Sequence, residues 1–222
     1  MRAHFRDRTE AGALLARKLL AYANRSDVLV LALPRGGVPV AFAVAQQLHA
    51  PMDVLVVRKL GVPGHEEYAM GAIASGGIRI LHMPVISALQ IPPEAIEAAA
   101  AREQVELERR EKAYRAGRPP PIVRGMTVIL VDDGIATGST VRAAARALRQ
   151  MEARFIVIAA PTAAPTTVRD LRRDADELVA VITPEDFYGV GQWYVDFAPT
   201  TDEEVRDLLA AAARNPQAGG RL

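Results

Sequence analysis

Five short apolar runs constrain this chain more than any other feature: DVLVLAL (27–33), MDVLVVRKLG (52–61), TVILV (127–131), RFIVIAAP (154–161) and ELVAVITP (177–184). A strand with one wet face alternates apolar and polar residues, whereas one apolar throughout is buried on both faces. Between the runs lie stretches of helical character: VPVAFAVAQQLHA (38–50), TVRAAARALRQM (140–151) and TTVRDLRRDA (166–175). Strands alternating with helices predict an α/β fold, doubly wound, with a mostly parallel sheet and helices on both faces.

The remaining segments fit around that sheet. Thr9 is placed to cap a helix through EAGALLARKLLAY (10–22), and MGAIASGGIRIL (70–81) suggests short strands about the turn Gly76–Gly77. TDEEVRDLLAAAAR (201–214) has an N-cap and acids in its first turn, and NPQAGGRL (215–222) is expected to fray. Residues 84–120 change character: alanine-rich and highly charged, with Glu106/Arg110, Glu108/Lys112 and Glu111/Arg115 as acid-before-base pairs. We expect a helical insertion outside the sheet, serving as a hood or as a subunit contact, the latter leaving a homodimer open. RPPPIVRG (118–125) is a stiff connector. The whole chain, 1–222, then reads as one domain, with the insertion and a tail (184–222) holding an aromatic segment and the terminal helix.

Charge and composition exclude several functions. A formal net charge of +1 provides no field for nucleic acid or membrane, so anion binding must be local. There is no cysteine, which removes thiol nucleophiles, disulfides and thiolate metal sites. The N-terminus MRAHFRDRTEAG lacks the apolar core of a signal peptide, and no apolar run approaches the ~18 residues of a membrane span. A cytoplasmic location is expected. Only Lys18, Lys59 and Lys112 among the 27 basic residues are lysine.

The chemistry concentrates in VILVDDGIATGST (128–140). A buried strand ends on two carboxylates, which repel anions, and continues into Gly, Thr and Ser, which suit them. In doubly wound sheets ligands bind at the carboxyl ends of strands. The small residues Ala136, Thr137, Gly138, Ser139 and Thr140 let backbone N–H groups converge at a helix N-terminus, a phosphate cradle. Asp132 and Asp133 can accept sugar hydroxyls and hold Mg²⁺ through water. One ligand carrying a diol and a phosphate reconciles the halves. A P-loop would need Gly-Lys-Ser/Thr, and an EF-hand would need Glu where Ala143 stands.

This stretch resembles the signature of type I phosphoribosyltransferases, matching it over its whole length; the likeness extends from about Ser26 to Thr183 apart from the insertion. The resemblance implies transfer from 5-phosphoribosyl 1-pyrophosphate to a small-molecule acceptor, usually a nucleobase nitrogen, with Mg²⁺ as cofactor. It casts Asp132, Asp133 and Lys59 as catalytic and residues 136–140 as the 5′-phosphate loop. It also implies a pyrophosphate loop after the first core strand, where LPRGG (33–37) supplies Arg35, Gly36 and Gly37, though PRGG alone is equally an ordinary turn. Arg58 and Lys59 would meet pyrophosphate too, unless they are a charged strand end in water. A mobile loop would follow at GVPGHEEYAMG (61–71), where His65 either assists proton transfer or faces solvent.

PEDFYGVGQWYVDF (184–197) holds five aromatics. Phe187 or Tyr188 would stack the acceptor in one reading, with Trp193 the runner-up; in the other the segment is a plug under the terminal helix. In relatives acting on 6-oxopurines an aspartate precedes the Thr-Gly of the loop; here it is Ala136, which counts against hypoxanthine or guanine. A regulatory module that keeps the site without turnover is the alternative to an enzyme.

Overall fold

The computed structural model describes residues 4–214, so the expected fraying of 215–222 lies outside the described residues. In chain order the strands are β1 (Val28–Ala32), β2 (Met52–Val54), β3 (Val57–Val62), β4 (His65–Ala74), β5 (Ile78–Leu81), β6 (Thr127–Val131), β7 (Phe155–Thr162) and β8 (Glu177–Ile182). The helices are α1 (Arg8–Lys18), α2 (Gly37–Leu48), α3 (Met83–Ala88), α4 (Pro93–Arg115), α5 (Ser139–Gln150), α6 (Pro165–Leu171) and α7 (Asp202–Ala213).

Five strands form one parallel sheet in the order β2-β1-β6-β7-β8, as the apolar runs predict. Side chains alternate along each strand, so each contributes to two cores. Val28, Val30, Ala32, Ile129 and Val131 pack with α1, α2 and α7 on one face. Leu29, Leu31, Val128, Leu130 and Ile156 meet Val141, Ala144 and Leu148 of α5 on the other. Full burial of one such aliphatic side chain is worth about 1.5–3 kcal/mol. The chain winds outward from β1 through α2 to β2, and the opposite way from β6 through α5 to β7. The switch point, where ligands bind in such sheets, falls between β1 and β6.

The run at 52–61 divides in two. After Val54 the chain leaves the parallel sheet, and Ser75 holds the exit: its N–H donates to Val56 O (2.9 Å) and its Oγ accepts from Val56 N–H (3.0 Å). The continuation, β3, joins an antiparallel sheet in the order β3-β4-β5. The segment 61–71, expected as a loop, is therefore largely a hairpin, turning at Pro63–Gly64, where Gly64 takes φ +77°.

Helix α4 packs against β3, β4 and α7. Two of its three anticipated pairs form, Glu106–Arg110 and Glu111–Arg115, while Glu108 instead accepts from Gln104. Its last residue, Arg115, is buried; it pairs with Asp53 of β2 (3.3 Å) and donates to Val54 O (3.0 Å). Helix α1 begins earlier than Thr9 suggests, because the Asp7 carboxylate accepts the Glu10 N–H and is the true cap. That shift makes Arg8 the first helical residue. No helix of the described residues is long and apolar enough to cross a membrane.

Candidate active site

The pairing of β1 with β6 sets Ala32 opposite Val131, so the segments after both strands leave the sheet side by side. Leu33 N–H donates to Val131 O (2.9 Å) and carries the pairing one residue further. Pro34–Gly37 and Asp132–Gly138 consequently emerge as neighbours. Gly36 and Gly37 permit the contact: a β-carbon on Gly36 would lie 2.0 Å from Asp133 Oδ2, and one on Gly37 would lie 2.7 Å from Val131 O. The Pro34–Arg35 peptide is cis.

The loop 134–138 is tied to the end of β7. Ile135 N–H donates to Thr162 O and Ala164 N–H donates to Ile135 O, both at 2.9 Å, while the Thr167 hydroxyl donates to Ala136 O. Gly138 caps α5 with φ +70°, a left-handed conformation that a β-carbon disfavours. This geometry turns the chain so that Ser139 and Thr140 open the helix. A cavity of about 150 Å³ sits over the loop, lined by Asp132, Thr137, Ser139, Thr140 and, from β3, Lys59.

Among the sequence-predicted residues, Lys59 thus joins Asp132 and the loop 136–140, although it comes from the small antiparallel sheet. Arg58, its neighbour on the strand, pairs with Glu103 of α4 (2.7 Å). Both line a larger cavity of about 820 Å³ between the hairpin, α4, Pro34 and Thr140. Arg35 faces Asp202 at the start of α7 (3.7 Å), and Asp202 also accepts from the Tyr114 hydroxyl of α4 (2.9 Å). Phe187 is half-buried and stacks on buried Trp193 with ring centroids 6.4 Å apart, whereas Tyr188 is 88% exposed.

Two partners of the acidic pair had no local signature. Arg8 reaches Asp133 Oδ2 with both Nε and Nη2 (2.9 Å each), donates from Nη1 to Ala198 O (2.7 Å), and lies over the Phe197 ring (4.0 Å). Tyr194 donates its hydroxyl to Asp133 O (2.6 Å). One faint signal existed for Arg8: a cation in a helix's first turn opposes the helix dipole and needs a compensating partner.

Burial and the adjacent Asp133 carboxylate push the Asp132 carboxyl well above its usual range, against a hydrogen bond from Asp133 N–H. Burial likewise raises Asp133, and the Arg8 guanidinium pulls it back. Burial, then Asp133, raises the Tyr194 phenol. Enclosed carboxylates held at a strand end gain most from hydroxyl donors or a cation. No group of three or more His, Asp or Glu able to hold a metal ion occurs among the described residues. Mg²⁺ suits such a two-carboxylate set, because it keeps several waters and shares its coordination with substrate phosphates.

A family model described as phosphoribosyl transferase domain matches residues 7–198. Two Mycobacterium tuberculosis chains, MT0597 (strain CDC 1551 / Oshkosh) and Rv0571c (strain H37Rv), named provisionally as phosphoribosyl transferases, are each 43% identical over 98% of this chain. The chain spans about half the length of these curated relatives, 49% of each. The crystal structure of TT1426 from Thermus thermophilus is similar with a TM-score of 0.83 and 42% identity, covering 94% of this chain and 98% of that one.

Proposed function

The chain belongs to the phosphoribosyl transferase domain family, and from that premise we propose that it transfers a phosphoribosyl group from 5-phosphoribosyl 1-pyrophosphate to a small acceptor, a nucleobase by preference. One observation carries the reading: the glycine pair 36–37 and the stretch Asp132–Thr140 leave adjacent parallel strands together, with Lys59 bordering the same cavity.

In this reading the N–H groups and hydroxyls of residues 136–140 bind the 5′-phosphate. Asp132 and Asp133 accept the ribose hydroxyls, and Arg35, Gly36, Gly37, Arg58 and Lys59 receive the pyrophosphate. Asp132 and Asp133 would hold Mg²⁺ bound with the donor, and the ion would supply charge neutralisation for the pyrophosphate. The acceptor nitrogen forms its bond to ribose C1 as the C1–O bond breaks, and the electron pair leaves with pyrophosphate. The transition state is oxocarbenium-like, so positioning and charge neutralisation are the protein's main contributions. Residues 84–120 act as a hood, in keeping with the packing of α4 beside the larger cavity. Phe187 or Tyr188 stacks the acceptor, and a cytoplasmic location suits the proposed substrates.

Pyrophosphate release, measured with a panel of purine and pyrimidine bases in the presence of Mg²⁺, tests the proposal. Release with at least one base is expected. Donor binding without release from any base would mark a sensor module, a reading favoured only by Ala136, which leaves the loop without a general acid or base of its own.

A further inference from the structure

The acidic pair has four side-chain oxygens, and the protein uses two of them. Asp132 Oδ1 accepts from Asp133 N–H (2.9 Å), and Asp133 Oδ2 accepts from Arg8 Nε–H (2.9 Å), with Arg8 Nη2 paired to the same oxygen at 2.9 Å. Among the described residues no donor lies on Asp132 Oδ2 or Asp133 Oδ1. One acceptor oxygen therefore remains on each carboxylate, which is what two adjacent hydroxyls of a furanose require. Asp133 can turn about its side-chain bonds, and an unrestrained carboxylate would present either oxygen.

The restraint is unusually complete. Arg8 is only 12% exposed, and its three nitrogens, its ring contact with Phe197 and its place in the first turn of α1 leave it little freedom. Phe197 is itself closed in by Gly191, where a β-carbon would stand 2.9 Å from its ring. The segment carrying Phe197 is sewn to the N-terminal stretch: Phe5 N–H donates to Trp193 O and Val195 N–H donates to Phe5 O, both at 2.8 Å. Part of the aromatic segment thus serves to hold Arg8 against Asp133.

We propose that Arg8 is the positioning residue that sets sugar selectivity, by occupying Asp133 Oδ2 so that Asp133 Oδ1 and Asp132 Oδ2 are left to accept the 2- and 3-hydroxyls of a ribose 5-phosphate group. The inference rests on the phosphoribosyl reading of the site. Arginine is suited to the task, because its planar fork meets the carboxylate, a backbone carbonyl and an aromatic face at once; lysine offers a single point charge.

The test measures binding of ribose 5-phosphate, 2-deoxyribose 5-phosphate and inorganic phosphate to the wild type, Arg8→Gln and Arg8→Lys, without metal, by calorimetry. The wild type is expected to prefer ribose 5-phosphate over its 2-deoxy analogue by tenfold or more. Arg8→Gln should lose that preference to within about twofold, with phosphate affinity unchanged, and Arg8→Lys should lie between. Loss of fold would weaken all three ligands together; should Arg8→Gln not fold, Arg8→Lys alone decides, by a reduced preference. A variant that keeps the full preference overturns the role of Arg8 and leaves the phosphoribosyl reading standing. A wild type with no preference for ribose 5-phosphate overturns both.

Discussion

Gly36 and Asp133 share a space that fits only one of them: a β-carbon on Gly36 would stand 2.0 Å from Asp133 Oδ2 and 2.7 Å from its Cγ. Gly36 has φ −57°, so its backbone suits alanine and the obstruction is the carboxylate alone. Gly36→Ala must push that carboxylate off its pairing with Arg8, so it should lower the melting temperature as well as lose roughly tenfold or more in affinity for 5-phosphoribosyl 1-pyrophosphate, about 1.4 kcal/mol. Gly37→Ala meets backbone instead, at Val131 O, and should lower the melting temperature. Full donor affinity in Gly36→Ala, measured by calorimetry, would remove Asp133 from the site.

Function and stability are opposed at the acidic pair. A carboxyl whose folded pKa lies above its unfolded value, about 3.9 for aspartate, favours the folded state at low pH. That contribution is full below the unfolded value and is lost as pH rises through the folded one. Asp132 is raised by burial and by Asp133, so the wild type bears an electrostatic cost at neutral pH. Asp132→Asn removes it and can still accept the Asp133 N–H. Melting temperature in metal-free buffer should rise in the variant at pH 7.5, with the advantage shrinking towards pH 4. Combined with Asp133→Asn, it should abolish Mg²⁺-dependent donor binding. A variant less stable than wild type at pH 7.5 would contradict this account.

The parallel sheet was legible because its signal is local: an apolar run with few polar interruptions has little choice but burial. The loop 134–138 and the helix start behind it were legible for the same reason, since strand, acids and small residues are consecutive. What escaped depends on distant contacts. Arg8 and Asp133 stand 125 positions apart, and no periodicity links them. The division of 52–61 into β2 and β3 turns on Ser75, and the attachment of Arg58 to Glu103 turns on how α4 lies against β3. In the aromatic segment, composition indicated burial or stacking but could not assign each ring. Trp193, Tyr194, Phe197 and Phe187 pack in one cluster with the N-terminal segment, leaving Tyr188 to solvent.

The loop after Asp133 should bind inorganic phosphate without metal, because backbone donors at a helix N-terminus need none. Gly138 is its pivot. At φ +70° a side chain is strained, and a β-carbon there would lie 2.6 Å from Thr167 Cγ2. Gly138→Ala should lose phosphate binding and about 1–2 kcal/mol of stability, the usual cost of the left-handed conformation. Phosphate titration in EDTA, paired with urea denaturation, reads both effects. Equal phosphate affinity in wild type and variant would move the phosphate site elsewhere.

Tyr114 links α4 to the start of α7 through Asp202, which also faces Arg35. Burial first, then the hydrogen bond to Asp202, pushes its phenol up to about 12. A phenol raised in the folded state stabilises while protonated. Its contribution is whole below the unfolded value, about 10, and disappears as pH climbs towards 12. Tyr114→Phe should therefore be less stable than wild type at pH 8, with the difference narrowing between pH 10 and 12. A gap in denaturation midpoint that stays constant over that range would show that Tyr114 acts only through packing.

Acceptor recognition is the remaining question, and Phe187 and Tyr188 answer it differently. Phe187 is half-buried on Trp193, so Phe187→Ala should cost stability whatever its role in binding. Tyr188 is 88% exposed and its hydroxyl has no partner among the described residues, so Tyr188→Ala should leave the melting temperature unchanged. Trp193, 4% exposed, belongs to the packing and is the poorest stacking candidate. Stacking a base on an aromatic ring is worth roughly 1–3 kcal/mol, or about five- to 150-fold in affinity. Affinity for the active base, or for its nucleotide, should fall within that range in at least one of the two variants. If Tyr188→Ala alone weakens binding, an exposed ring closes onto the base. If Phe187→Ala alone does so at temperatures where it stays folded, the base displaces part of the Trp193 contact. Losses no greater than about twofold in both, well short of the stacking energy, would make the segment a clamp for Arg8 and packing against the N-terminal segment and α1, with the acceptor read by other groups.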